Sequence, residues 1–206
     1  MNYCKTFVSA ILAGACIGFG GTVFLAVDNK VLGSMFFTVG LFVICSFGLH
    51  LFTGKVCYVF QNDRAYALSI PLIWVGNLIG TGIVALMVRF TRMSATLVPK
   101  AQSLCEVKLN DGLLSLFLLG ILCNIFIYIG VEGYKSVPHE VGKYLALFFG
   151  VMVFILSGYE HCVANMFYFS LAGVWNMRAV VCLLVMTAGN AVGGVIFPLV
   201  RGWLAK

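Results

Sequence analysis

Charge is what this sequence has least of. Asp, Glu, Lys and Arg make up only 10% of its 206 residues, and seven of them are acidic. A soluble domain carries about 25% charge, so a chain surrounded by water is excluded. The longest polar connection, residues 89–111, is too short for a separate soluble domain. The eight cysteines, at positions 4, 16, 45, 57, 105, 123, 162 and 182, form no C-x-x-C pair. Most lie in apolar stretches, where a thiol behaves as a small hydrophobe, so neither a disulfide nor a metal site is expected. No N-P-A motif occurs, which argues against a neutral-solute pore of aquaporin type. Histidine is limited to His50, His139 and His161. His139 sits in a polar loop, so no pair of membrane-facing haem ligands is evident. No enzyme activity, cofactor or nucleic-acid partner is expected.

What the chain has is apolar length. Hydrophobic residues reach 62%, and six uncharged windows stand out: 7–27, 31–49, 65–88, 112–131, 144–159 and 179–200. Four hold 20 residues or more, enough for a helix to cross about 30 Å of hydrocarbon. The windows ending at Leu49 and Tyr159 are shorter and stop in polar clusters, as if interrupted. The first window is too long for a signal-peptide core and lacks a small-residue cleavage site, so it reads as a span. An all-α protein of six transmembrane helices is predicted. An even number of spans puts both termini on one side. The net charge of +6 does not orient them. Lys5, Lys55, Arg64, Lys135, Lys143, Arg201 and Lys206 fall on the terminal side, against Lys30, Arg89, Arg92, Lys100, Lys108 and Arg178 on the other.

The two halves resemble each other. Gly76-Asn77-Leu78-Ile79-Gly80 in the third window and Gly189-Asn190-Ala191-Val192-Gly193 in the sixth both read G-N-x-x-G, a small-residue face for close helix packing. The interrupted windows correspond as well, with Gly48 to Gly54 in one and Gly158 to Ala164 in the other. Each half is thus two full spans around a broken one. Three spans per half is an odd number, so the halves, about 1–95 and 105–206, have opposite topology within one channel domain, 1–206. Paired broken helices point to a transport site, because the freed backbone groups must line a pathway. The stretch Gly158-Tyr159-Glu160-His161-Cys162-Val163-Ala164-Asn165 adds an acid, an imidazole and a carboxamide at membrane depth. Such groups mark a functional site.

These segments resemble the formate/nitrite transporter family of anion channels. Lys5-Thr6-Phe7 with Ala13-Gly14 is similar to that family's first span. Leu51-Phe52-Thr53-Gly54 is similar to its L-F-T-G loop, and Gly158-x-Glu160-His161-x-Val163-Ala164-Asn165-Met166 to its G-F-E-H-S-V-A-N-M signature. The resemblance covers nearly the whole chain. It implies an aquaporin-like 3+3 arrangement, a homopentamer with one pore per subunit, and a multi-pass protein of the inner (cytoplasmic) membrane with both termini cytoplasmic. Formate is the first substrate it suggests, then nitrite, with hydrosulfide close behind. The chain departs from the pattern at His50, where an acid is usual, and at Lys55, where Asn is common. It is also short at both ends, without the long N-terminal helix with which some members plug the pore.

The resemblance also assigns residues. His161 would face the pore centre, with Thr53 and Asn165 as short donors that replace water around an anion. Asn124, mid-span, matches a vestibule Asn, although an interhelical hydrogen bond is the alternative. Leu51 and Phe154 would be apolar constrictions on either side of His161, with Leu41 a further one on the cytoplasmic approach. His50 aligns beside Leu51 rather than in the lining, which argues against an ammonium channel with two facing histidines. Lys5 and Lys108 would draw anions to the mouths, or else snorkel to the interface. Glu160 is read as structural, pairing with a neighbouring base or accepting freed backbone N–H groups. An imidazole titrates near neutral pH. It can lend a proton to a weak-acid anion, or donate only a hydrogen bond.

Overall fold

The computed structural model describes residues 2–205; Met1 and Lys206, the ends of the expected 1–206 domain, lie outside the described residues, and with Lys206 goes one charge of the orientation count. The described residues form helices α1 (Tyr3–Ala26), α2 (Lys30–Ser46), α3 (Phe52–Lys55), α4 (Arg64–Arg89), α5 (Ser94–Asn110), α6 (Leu113–Ser136), α7 (Glu140–Leu156), α8 (Cys162–Ala172) and α9 (Met177–Leu204), and no strand. A short 3-10 segment, Val56–Gln61, continues α3. Helices α1, α4, α6 and α9 have 24, 26, 24 and 28 residues. At 1.5 Å per residue each is about 36 Å or longer, enough to cross a bilayer. Asn2, Asn29, Asp63 and Asn176 cap α1, α2, α4 and α9, their side chains accepting first-turn N–H groups.

Both interruptions have the same cause. Gly48 ends α2 with φ +65° and Gly158 ends α7 with φ +74°. Such left-handed residues close a helix because glycine has no Cβ to clash. The chain then folds back in the same way in each: Leu49 N–H donates to the Ile44 carbonyl, and Tyr159 N–H to that of Phe154, both at 2.9 Å. After a few extended residues a second, shorter helix starts, α3 in one place and α8 in the other.

The loops would leave peptide groups bare inside the protein. Two asparagines take them up. Asn77 of α4 accepts the Phe52 N–H at 2.8 Å and donates to the carbonyls of Ala10 at 2.7 Å and His50 at 3.0 Å. Asn190 of α9 accepts the Cys162 N–H at 2.8 Å and donates to those of Gly120 and Glu160, each at 2.8 Å. The glycines around them let the helices touch: a Cβ on Gly80 would overlap the Ile11 carbonyl oxygen of α1, and one on Gly193 that of Ile121 in α6. So the G-N-x-x-G segments do more than permit close packing. They tie each long helix pair, α1 with α4 and α6 with α9, to its broken neighbour.

One expectation is corrected. Residues 89–111, read as a polar connection, contain the 17-residue helix α5. It buries a narrow stripe, Leu97, Ala101 and Cys105, at i, i+4 spacing, and packs beside α8.

Candidate functional site

His161 and Thr53 meet where the two broken helices approach. His161 is the N-cap of α8, and its Nδ1 accepts the Ala164 N–H at 3.0 Å. A ring nitrogen that accepts an amide N–H carries no proton, so the ring proton is on Nε2. Nε2 lies 2.9 Å from the Thr53 hydroxyl and donates to it. Phe154 stacks on the imidazole, centroids 5.5 Å apart and planes 20° from parallel. His161 is 2% exposed and Thr53 fully buried.

On one side of this pair a cavity of about 120 Å³ is lined by Leu41, Leu51, Tyr134, Lys55 and Lys135, among others. On the other a second cavity, also about 120 Å³, is lined by Phe154, His161, Asn165, Lys108, Glu160 and Lys30 among others. Each has room for several waters. Leu51 lines the first cavity and Phe154 the second, both at most 3% exposed.

The surrounding amides hold the pair in place. Asn124 of α6 donates to the Thr53 carbonyl at 3.1 Å. Asn165, one turn into α8, donates to Glu160 Oε2 at 2.7 Å. The Oδ1 atoms of both asparagines are buried with no partner among the described residues. Asn165 also lines the second cavity. Glu160 is held on its other side by Lys108, whose Nζ lies 2.6 and 2.8 Å from the two carboxylate oxygens. Two sequence readings thus meet in one contact, the basic residue near a mouth and the acid in search of a base.

Lys5 lies on the exposed face of α1 and lines neither cavity. His50 lines neither as well; its backbone joins Ser9 and Asn77. Lys55 and Lys135 line the first cavity. In the sequence Lys55 stands out as a topology charge and as a departure beside the L-F-T-G pattern, and Lys135 only as a topology charge. Their position on either side of one cavity depends on α3 and α6 meeting, which no local pattern announces.

The sequence profile of the formate/nitrite transporter family matches residues 1–204. The nitrite transporter NirC of Salmonella typhimurium is 29% identical, over 97% of this chain and 82% of the relative. The formate channel FocA of Haemophilus influenzae is 26% identical, over 93% of this chain and 83% of the relative. Two solved structures superpose closely. One, an FNT family ion channel, gives a TM-score of 0.88 at 27% identity over 100% of this chain and 91% of its own. The other, a pentameric formate channel with formate bound, gives 0.84 at 26% identity over 98% and 97%.

Proposed function

The chain belongs to the formate/nitrite transporter family of membrane transport proteins, and we propose that it is a channel for small monovalent anions, formate before nitrite, with hydrosulfide third. The observation that carries this reading is the Thr53–His161 hydrogen bond, set between two cavities at the junction of two broken helices. Relatives named for nitrite and for formate support the same substrate class. In this reading the broken pairs α2–α3 and α7–α8 each count as one span, giving six. The halves 1–95 and 105–206 form an aquaporin-like inverted repeat within a single channel domain. A homopentamer follows the similar structure described as pentameric, and the protein would lie in the inner membrane with both termini cytoplasmic.

The tautomer of His161 supports one of its two possible tasks. To lend a proton and stay neutral, the ring must first be doubly protonated. Nδ1 would then have to release the Ala164 N–H, since two donors cannot share one bond. In the present geometry His161 offers a passing anion its Nε2–H and keeps the proton. Hydrogen bonds to charged groups contribute about 1.5–3 kcal/mol, which offsets part of the cost of dehydrating an anion between Leu51 and Phe154. The test is uptake into proteoliposomes of formate, nitrite, hydrosulfide, chloride, lactate and glycerol at two pH values. Flux of the three small anions above protein-free vesicles is expected, with lactate and glycerol excluded. Glycerol flux without anion flux would replace this reading with an aquaporin-like pore.

A further inference from the structure

Two lysines in the cavity beyond Leu51 have no carboxylate to neutralise them. Lys55 ends α3 and Lys135 lies in the last turn of α6. Both line this cavity, and neither forms a salt bridge among the described residues. The acid nearest Lys135 along its helix, Glu132, is already engaged. It accepts from the Tyr58 hydroxyl at 2.7 Å, the Ser136 hydroxyl at 2.7 Å and Arg201 at 2.9 Å. Held this way, Tyr58 presents its ring to Lys135, whose ammonium sits 4.1 Å from the ring centroid. A ring attracts a cation without cancelling its charge, so Lys135 is positioned by the ring and not paired with an acid among the described residues.

The second cavity is different. Lys108 is paired with Glu160 at 2.6 Å, and Lys30 is turned to the Leu156 carbonyl at 3.2 Å. One lining therefore has two cations and no acid, the other two cations and one acid. Charge in a recess with low-dielectric walls focuses the field and concentrates counter-ions.

We propose that Lys55 and Lys135 form a resting site for a small carboxylate or oxyanion on the Leu51 side, so that the pore is electrostatically asymmetric. The ligand class rests on the channel reading above; the positive potential does not. A monovalent anion placed there would meet the Tyr134 side of the lining and the two ammonium groups before passing Leu51. Lys5 and Lys108 are not its source, since one lies outside both cavities and the other is neutralised.

The site can be tested without transport, because Cys45 lines the same cavity and is partly exposed. In the full chain with Cys4→Ser and Cys16→Ser, the labelling rate of Cys45 is measured with an anionic sulfonatoethyl and a cationic trimethylammonioethyl methanethiosulfonate. The ratio of the two rates responds twice to the local potential. It should fall about tenfold in Lys55→Met/Lys135→Met, fall also at high salt, and stay unchanged in Lys30→Met. Millimolar formate or nitrite should slow the anionic reagent in the parent and not in the double variant. An unchanged ratio in the double variant, or no competition in the parent, overturns the proposal. Should Cys45 be too shielded to label, Leu49→Cys in a Cys45→Ser background carries the same comparison in the same lining. Absent formate uptake with an intact ratio would count against the channel reading alone.

Discussion

The imidazole of His161 donates across 2.9 Å to the hydroxyl of Thr53, 108 positions earlier in the chain. That bond joins the ends of two separately broken helices. In the proposed channel an anion in transit would replace Thr53 as the acceptor, and the hydroxyl would be left to serve the anion as a donor. His161→Ala removes a charge-assisted bond of about 1.5–3 kcal/mol, so formate flux in proteoliposomes should fall about ten- to a hundredfold. Thr53→Ser should retain flux, whereas Thr53→Val should lose about fivefold, the weight of a neutral hydrogen bond near 1 kcal/mol. Equal flux in Thr53→Val and Thr53→Ser would show that the hydroxyl takes no part.

Lys108 and Glu160 predict a stability effect as well as a flux effect. Their side chains are 11% and 6% exposed, so each charge depends on the other. Lys108→Met strands a buried carboxylate, which typically costs 3–5 kcal/mol. The variant should melt well below the parent in detergent. Lys108→Met/Glu160→Gln removes both charges and should recover most of that loss, while Glu160 Oε2 is replaced by a neutral acceptor for Asn165. A double variant as unstable as the single one would show that the pair is held for some reason other than charge balance.

Much of this was legible in the sequence, and what was not has a common cause. The breaks at Gly48 and Gly158 were visible because a glycine followed by polar groups inside an apolar run cannot continue as a lipid-facing helix. The asparagines of the G-N-x-x-G segments were visible, but only as packing markers. Their bonds to Phe52 and Cys162 span 25 and 28 positions and come from tertiary folding. Helix α5 was missed because its buried stripe is a single residue wide and is interspersed with Pro99, Lys100, Glu106 and Lys108. Nothing in the sequence paired Lys55 with Lys135 among thirteen basic residues, since a charge pattern does not say which side chains share a cavity.

Asn77 and Asn190 should be equally costly to lose. Each is fully buried and satisfies one N–H and two carbonyls in or beside its loop. Replacement by Leu keeps the branched shape, at a somewhat larger volume, and removes all three bonds. A buried backbone group left unpaired costs about 1–3 kcal/mol, so either Asn→Leu variant should lose several kcal/mol, read as a lowered melting temperature and poor recovery from membranes. Asn→Asp keeps the acceptor for Phe52 or Cys162 but turns a carboxylate toward two carbonyl oxygens, and should be at least as damaging. Wild-type melting in Asn190→Leu would mean the α7–α8 loop is held by packing alone.

Leu51 lines the two-lysine cavity two residues before Thr53, and it is 2% exposed. Nothing polar in its side chain could select among anions, so in the proposed channel it would act by occupying space. Leu51→Ala opens the approach without altering any hydrogen bond to the permeating ion, so formate flux should be kept or increased. Lactate, larger but of equal charge, gains most from the added width. The formate-to-lactate flux ratio should therefore fall severalfold, while the loss in His161→Ala falls on formate itself. The Leu51 cut is large to small at a buried site and should cost about 2–5 kcal/mol, so the ratio rather than the absolute flux is the measurement to read. A ratio equal to that of the parent would place the size filter elsewhere, with Phe154 on the opposite approach as the next position to truncate.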